Sequence, residues 1–210
     1  TLLEEPQAAL YSWIQASGGD WRKQVQHGDI ILVVDVGGGT TDLSLIAVLE
    51  QGGNLALQRV AVGEHILLGG DNMDLALAYG VARKLAGEGK QLDAWQTRAL
   101  AHGCRHAKEQ LLADDSLQSV PVVVPSRGSK LIGGSIRTEV ARAEVLAMLV
   151  EGFFPQVAVT DKPITRARAA LTQLGLPYAR DAAVTRHLAA FLARQAGATD
   201  VLPLALALRG

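Results

Sequence analysis

The chain has 210 residues, of which 49% are apolar and 20% charged, as is ordinary for a globular protein with a buried core. Its formal net charge is −1 and no basic block occurs, so we expect neither a nucleic-acid partner nor an anionic membrane partner. The single cysteine excludes an internal disulfide and favours a reducing compartment, which predicts a cytoplasmic location.

The two ends carry no obvious targeting segment. The acidic start lacks a charged-then-apolar leader, so no signal peptide is predicted. The apolar run at residues 201–208 is far shorter than the roughly 20 residues that span a bilayer. Because the chain begins with threonine and enters directly on a motif, we interpret it as an excised segment.

The first 62 residues predict a helix followed by three strands. Pro6 suits the first turn of a short amphipathic helix. The apolar run at residues 30–34 predicts a strand buried on both faces. Alternating apolar residues after Asp42 predict a second strand, and residues 55–62 predict a third, with a turn at residues 51–54 between them.

Residues 63–155 predict a helix-rich insertion with a hairpin of its own. After a connection at residues 63–70, Asp71 fits the N-cap of a helix that ends before Gly87. A second helix is predicted from about residue 92 to residue 112. Its apolar face consists of Leu100, Cys104, Ala107 and Leu111.

The hairpin of the insertion is predicted at residues 117–124 and 130–137. Thr138 is predicted to cap a helix that runs to about residue 154. Helical spacing then recurs at residues 164–174 and 182–194. The strands before the insertion and the helices after it are predicted to belong to a different layer from the insertion.

Three glycines join the first two predicted strands. Gly37, Gly38 and Gly39 are followed by Thr40 and a strand, whereas Walker and Rossmann loops both lead into a helix. Consecutive glycines can reach φ > 0 and can point their amides at an anion such as phosphate. These residues alone leave open the alternative of a tight hairpin with capping aspartates.

Two groups of side chains raise the question of a metal ion. Asp35 and Asp42 flank the glycines with carboxylates, which suit the waters bound to Mg²⁺. His102, Cys104 and His106 do not predict a site, because the cysteine points away from the helix face that the histidines share and no fourth ligand is near.

Three motifs occur in a characteristic order and spacing. Residues 35–42 read Asp-Val-Gly-Gly-Gly-Thr-Thr-Asp, residues 3–9 read Leu-Glu-Glu-Pro-Gln-Ala-Ala, and residues 68–74 read Leu-Gly-Gly-Asp-Asn-Met-Asp. Together they resemble the second phosphate-binding hairpin and its flanking segments in the heat-shock protein 70 (DnaK-type) chaperones of the actin-like ATPase superfamily. The resemblance covers roughly residues 1–155 and fades after Pro155.

This resemblance implies an α/β fold, the ribonuclease H-like lobe II of an actin-like ATPase, with a mixed sheet flanked by helices and an inserted α+β subdomain. It implies a sheet-centred (IIA-like) subdomain at residues 1–62 and 156–210 and an outer (IIB-like) subdomain at residues 63–155. The family's first phosphate loop and catalytic lysine lie in lobe I and are missing here, so we expect the segment alone to be inactive.

The resemblance also implies roles for single residues. Asp35 holds water on Mg²⁺, while Asp42 and Glu5 orient the metal shell or the attacking water. Gly69 and Gly70 allow the backbone to approach the ligand. For Glu5, a first-turn acid that favours the helix dipole is the alternative. Hydrogen bonds to the β- and γ-phosphates of ATP or ADP come from Gly37, Gly38, Gly39 and Thr40.

The adenosine side departs from the family pattern. Residues 104–109 read Cys-Arg-His-Ala-Lys-Glu and are similar to the family's Cys-Glu-Arg-Ala-Lys-Arg helix, whose glutamate, lysine and second arginine touch the nucleoside. Lys108 is retained, whereas Arg105 and Glu109 carry reversed charges. Adenosine binding is therefore expected to be weaker or differently arranged, and a solvated helix face is the alternative.

The leading hypothesis is the nucleotide-binding half of a DnaK-like chaperone, whose full-length parent hydrolyses ATP to drive binding and release of unfolded polypeptide. Its implied partners are lobe I of the same parent chain, unfolded polypeptide and co-chaperones. One alternative is a bacterial cell-shape-type actin-like filament protein, which residues 69–74 also suit. Another is a pseudo-ATPase scaffold, which the reversed charges at Arg105 and Glu109 favour.

Overall fold

The computed structural model describes residues 5–124, 135–164 and 179–198, with the backbone alone at residues 5–6 and 197–198. Groups of helices and groups of strands follow one another along these ranges, which confirms a mixed α/β protein. In chain order, the elements are α1 (Glu5–Ala16), α2 (Trp21–Gln24), β1 (Ile30–Val36), β2 (Thr41–Gln51), β3 (Asn54–Val62), α3 (Gly70–Gly87), α4 (Ala94–Ala113), β4 (Ser119–Val124), β5 (Ile136–Ala141), α5 (Arg142–Leu146), a π-helical segment (Ala147–Phe153) and α6 (Val184–Ala198).

A three-stranded antiparallel meander in the order β1-β2-β3 contains the predicted glycine hairpin. The central strand β2 is buried continuously over residues 41–48. Asp35 on β1 lies directly opposite Asp42 on β2. All strand pairs within the described residues are antiparallel, and the apolar segment after residue 198 lies outside them, so the mixed sheet stays a prediction.

Strand β1 is not buried on both faces, and that prediction was wrong. Leu32, Val34 and Val36 on one face are exposed. Within the described residues β1 pairs with β2 alone, so it forms an edge of the sheet. A continuous apolar run is typical of a strand that other elements cover on both faces. Here α1 packs on β1, whereas the face with Leu32, Val34 and Val36 is exposed.

Helices α1 and α6 lie on opposite faces of this sheet. Leu10 of α1 and Ile46 of β2 line a common cavity of about 80 Å³. Phe191 of α6 packs against Leu43 and Leu45, which point to the other face of β2. The helix predicted at residues 182–194 is thus confirmed as α6, displaced slightly toward the C-terminus.

A second core forms between α3, α4 and the β4–β5 hairpin. The apolar face predicted for α4 is confirmed, because Leu100, Cys104, Ala107 and Leu111 are fully buried. These side chains pack in one cluster with α3, with the hairpin and with Val184 at the start of α6. Other members of the cluster are Leu68, Met73, Leu77, Ala78, Val81, Leu85, Val122, Val124, Val140, Val145, Leu149 and Phe153.

The boundary predicted after the hairpin was wrong. Thr138 lies inside β5 and caps no helix, since the strand runs on to Ala141. The helix begins at Arg142, where the Glu144 carboxylate accepts a hydrogen bond from the Ala141 amide at 2.8 Å. Two signals for a helix start occur here, the threonine Thr138 and the acidic Glu144. The carboxylate of Glu144 at the third helical position, which accepts a hydrogen bond from the cap residue, is the one that marks the start.

Part of the predicted structure lies outside the described residues. Most of the helix predicted at residues 164–174 falls there, and so does the turn predicted between residues 124 and 130. Among the helices that are described, none has both the length and the apolar character needed to cross a membrane.

Candidate functional site

The turn at residues 37–40 rests on the first turn of α3. The Gly37 amide donates to the Thr40 carbonyl at 2.8 Å and closes the turn. The Gly37 carbonyl accepts from the Gly70 amide at 3.0 Å, and the Gly38 carbonyl accepts from the Asp71 amide at 2.8 Å. The carbonyls of the turn therefore point back at α3, and they satisfy amides that a helix start leaves unpaired.

The remaining amides of the turn belong to residues that solvent reaches. Gly38 and Gly39 are exposed and Thr40 is half-buried. The amides of Gly38, Gly39 and Thr40 donate to no acceptor among the described residues. Successive unpaired amides on an exposed turn form a concavity that favours an anion.

The turn does not use the left-handed backbone that glycine can reach. None of Gly37, Gly38 and Gly39 has a positive φ. Among the described residues, a Cβ atom at Gly39 would meet no atom within 4 Å, and one at Gly38 would meet only the Asp71 carboxylate, at 3.8 Å. The packing of the described residues therefore tolerates a side chain at Gly38 and at Gly39.

Gly69 is the glycine that the internal packing requires. A Cβ atom at this position would lie 2.5 Å from both the Gly37 and the Gly38 carbonyl oxygens. Gly69 is also the N-cap of α3, and its amide donates to the Asn72 side chain at 2.8 Å. The prediction of Asp71 as the N-cap was wrong, because the turn carbonyls and Asn72 supply the capping acceptors.

The connection before α3 is tied to the start of β2. The Thr41 hydroxyl, which is buried, donates to the Leu68 carbonyl at 2.8 Å. Thr41 and Ile66 exchange backbone hydrogen bonds at 2.8 and 3.1 Å. Thr41 therefore fixes the distance between the hairpin and α3, a role that its position in the motif did not predict.

The two flanking carboxylates differ in their surroundings. Asp35 is half-buried, and its carboxylate has no hydrogen-bond or ion-pair partner in the described part of the chain. Asp42 is 8% exposed and its carboxylate contacts Nδ1 of His65, an otherwise exposed side chain. Sequence reasoning missed His65, and the only signal for it is its place next to Ile66, which bridges to Thr41.

Lys108 reaches the same end of α3 from α4. Its ammonium lies 2.7 Å from the Asp74 carboxylate, with the two side chains only 12% and 7% exposed. It also donates to the Gly70 carbonyl at 3.5 Å. Because Asp74 and Gly70 both belong to the first turns of α3, Lys108 fixes α4 against the helix that supports the glycine turn.

The residues with reversed charges pair with each other. The Arg105 guanidinium donates to the Glu109 carboxylate at 3.1 Å, one helical turn away. It also lies 3.8 Å from the Asp71 carboxylate. The Glu109 carboxylate lowers the energy of the charged guanidinium and raises the pKa of Arg105 above its ordinary value.

Glu5 is the first residue of α1, and its side chain is outside the described part. Helix α1 packs on β1 and β2, the strands that carry the glycine turn. The role predicted for Glu5 therefore stays a prediction.

A family model described as Hsp70 protein matches residues 16–170, more than two thirds of the chain. The chain belongs to the Hsp70 family. This confirms the resemblance drawn from the motifs, and it favours a chaperone over the actin-like filament alternative. Hsp70 proteins bind nucleotide with Mg²⁺, and membership suggests that this segment belongs to a chaperone nucleotide-binding domain.

Proposed function

We propose that this Hsp70 segment is the lobe II half of the ATPase domain of a DnaK-like chaperone, and that its glycine turn binds the phosphates of ATP and ADP. The observation that carries the proposal is that the amides of Gly38, Gly39 and Thr40 donate to no acceptor among the described residues, in a turn that solvent reaches. Amides held rigidly by a paired backbone need no reorganisation when an anion arrives.

Gly37 has a different part in the same turn. Its amide is already bonded to Thr40, so it holds the shape of the turn while the next amides donate to the β- and γ-phosphates. Helix α3 lies directly behind, with the positive end of its dipole at residue 70. The helix dipole therefore stabilises the negative charge of a phosphate at the turn, although α3 contacts only the carbonyls of the turn.

The carboxylates suit a magnesium ion next to these phosphates. Asp35 offers a half-buried carboxylate at the base of the turn that has no partner in the described part of the chain, and such an oxygen donor suits the waters of Mg²⁺. Asp42 lies opposite it, and His65 keeps that carboxylate in place. Glu5 is proposed to orient the metal shell or the attacking water. The ion, when bound, supplies the neutralising charge on which phosphoryl transfer depends.

We propose that Gly69, Gly70 and Lys108 act on the nucleotide through α3. Gly69 brings α3 close to the turn, since no side chain fits beneath the carbonyls of the turn. Lys108 holds the Gly70 end of the helix and is itself neutralised by Asp74. In the free protein, Lys108 thus contacts Asp74 and Gly70 of its own chain, whereas the corresponding lysine of the family contacts the nucleoside.

The proposed architecture is the ribonuclease H-like lobe of the actin superfamily. Residues 1–62 and 156–210 would form the IIA-like subdomain and residues 63–155 the IIB-like insertion. The two cores support this division, because one is centred on the meander with α6 and the other on α3 and α4. Lobe I of the same parent, unfolded polypeptide and co-chaperones are the proposed partners, in a cytoplasmic setting.

The test is ATP binding and turnover by the full-length protein. We expect calorimetry to show binding of ATP with Mg²⁺, and Asp35→Asn to lower the turnover number by about 10²-fold or more, as when a group that positions charge is lost. ATP should also accelerate release of a bound unfolded peptide. Turnover by the isolated 210 residues at the full-length rate would contradict the proposal.

The pseudo-ATPase scaffold has one observation in its favour. Arg105 and Glu109 neutralise each other and offer no free charge to a nucleoside. If the scaffold is correct, the full-length protein binds ATP weakly or not at all, and Asp35→Asn changes no rate. The same pair of measurements therefore separates the two functions.

A further inference from the structure

We propose that His102 and His106 form a chelating site on α4 for a divalent transition-metal ion of the Cu²⁺, Ni²⁺ and Zn²⁺ class. Both side chains are exposed and lie one helical turn apart. Their Nε2 atoms are 3.2 Å apart, and the ring planes cross at 81°. This site is independent of the nucleotide function proposed above.

The separation of the two nitrogens matches the bite of one metal ion. Imidazole nitrogens bind Zn²⁺ at about 2.0–2.1 Å. Two nitrogens 3.2 Å apart then subtend an angle of about 100° at the ion, by simple trigonometry from those bond lengths. That value falls between the roughly 90° of tetragonal Cu²⁺ or Ni²⁺ and the roughly 109° of tetrahedral Zn²⁺.

The pair sits on a rigid element. Helix α4 begins with a capping box in which the Gln96 amide donates to the Asp93 carboxylate at 2.8 Å. Its opposite face, with Cys104, is fully buried in the second core. The two histidines are therefore preorganised, and less conformational entropy is lost on binding than for two histidines in a loop.

The rest of the coordination shell is open. Within the described residues, no cluster of three or more His, Cys, Asp or Glu side chains could hold a metal ion. Cys104 cannot join, because it is fully buried on the other side of the helix. Water or an exogenous donor must fill the remaining positions, so the affinity will follow the order of the ions, with Cu²⁺ the tightest.

Neighbouring charges are already engaged in other contacts. Arg98 donates to the Ala94 carbonyl at 3.2 Å, and Arg105 donates to Glu109. In the metal-free protein the short separation of the two Nε2 atoms is explained by one ring donating a hydrogen bond to the other. A bound ion takes the place of that hydrogen bond: each ring stays neutral with its proton on Nδ1, so that both Nε2 lone pairs are free for the ion.

The direct experiment is a titration of the tag-free chain with Cu²⁺, followed by calorimetry and electron paramagnetic resonance. We expect one ion per chain at the tightest site, with hyperfine coupling from two imidazole nitrogens. His102→Gln and His106→Gln should each weaken that site by about tenfold or more. Hydrogen exchange of the α4 amides should slow when the ion is present, because an ion that binds only the folded helix stabilises it.

A matched control keeps the number of histidines constant. In His106→Gln/Gln110→His the pair lies two helical turns apart, at exposed positions, so the double variant should bind Cu²⁺ no better than His106→Gln alone. His27→Gln, at a separate exposed position, should leave binding unchanged. Equal affinity in wild type and in both single variants would overturn the proposal, as would full binding by the double variant.

Discussion

At the scale of single residues, the site contains glycines of two kinds. Gly38 and Gly39 have open space where a side chain would be and no positive φ, so the fold alone does not explain them. Gly69 has two carbonyl oxygens where its side chain would be. Substitution by alanine should therefore weaken ligand binding but not stability at Gly38 or Gly39, whereas at Gly69 it should lower stability.

Gly39→Ala in the full-length protein should leave the free energy of unfolding within about 0.5 kcal/mol of wild type, as surface changes usually do. It should weaken ATP binding about tenfold or more, because the methyl group stands in front of the unpaired amides. Urea unfolding and calorimetry measure the two quantities. Unchanged ATP affinity in this variant would argue against a phosphate site at the turn.

Gly69→Ala provides the contrast. Its Cβ atom would lie 2.5 Å from two backbone oxygens, so α3 must move away from the turn. We expect a loss of about 1–3 kcal/mol in unfolding free energy, as for overpacked sites. A variant as stable as wild type in urea would show that α3 does not rest on the turn in this way.

The thiol of Cys104 should be unreactive toward thiol reagents in the folded protein. Burial, with the nearby carboxylates of Asp74 and Glu144, raises the pKa of its thiol to about 12. Since the thiolate is the reactive form, we expect a thiol reagent at pH 7 to react about 100-fold or more slowly with the folded chain than in denaturant. Equal rates in the two conditions would place this helix face in solvent.

At the scale of elements, the first turn of α3 is held from two sides. The carbonyls of the glycine turn accept its amides, and Lys108 of α4 holds Asp74 and the Gly70 carbonyl. These contacts join α4 to the helix that supports the turn. The ion pair between α3 and α4 is therefore the contact to remove first.

Lys108→Met should destabilise the chain by about 3–5 kcal/mol, because it leaves Asp74 charged and uncompensated in a buried place. Asp74→Asn/Lys108→Met should recover part of that loss in urea unfolding. Lys84→Met is the matched control, since its partner Glu144 is exposed and such pairs contribute about 0–1 kcal/mol. Equal losses in the two lysine variants would refute the buried pair.

Asp181 fixes the start of α6 and predicts a pH dependence. Burial acts to raise the pKa of its carboxyl, but hydrogen bonds from the Ile164 and Ala183 amides and the Arg186 ion pair outweigh burial and lower the pKa. A group with a lowered pKa in the folded state stabilises the fold fully above its unfolded pKa of about 3.9. That contribution is lost as the pH falls through the folded pKa.

Asp181→Asn should therefore lower the unfolding free energy at pH 7 by about 1–3 kcal/mol, as expected for loss of charged hydrogen bonds. The difference between variant and wild type should shrink as the pH falls below about 4. Urea unfolding at pH 7 and pH 3 measures both values. A difference that grows in acid would contradict the assignment of the stabilising charge to this carboxylate.

At the scale of the whole molecule, the sequence predicted where helices and strands lie better than it predicted what packs against them. Period and glycine spacing located the meander, α3 and α4, and the buried face of α4, because each depends on local pattern. The exposure of β1 could not be predicted, since a run of apolar residues does not say what lies beside the strand. The start of α5 was misplaced because Thr138 is equally suited to β5.

For the candidate site too, the features that are local in sequence were predicted and the long-range contacts were not. The motif indicated the turn and its two carboxylates, which are local in sequence. The contact of His65 with Asp42, the Thr41 hydrogen bond to Leu68 and the ion pair of Lys108 with Asp74 join residues that are distant in sequence. No spacing rule predicts such contacts, because they depend on how the connection at residues 63–69 and α4 pack on the hairpin.

The most direct test of the phosphate site is a nuclear magnetic resonance titration of full-length protein labelled with ¹⁵N-glycine. With ATP and Mg²⁺ we predict large shifts of the Gly38 and Gly39 amide signals, a smaller one for Gly37, whose amide is already bonded, and none with adenosine alone. Saturating ATP that leaves the Gly38 and Gly39 signals in place would show that the phosphates bind elsewhere.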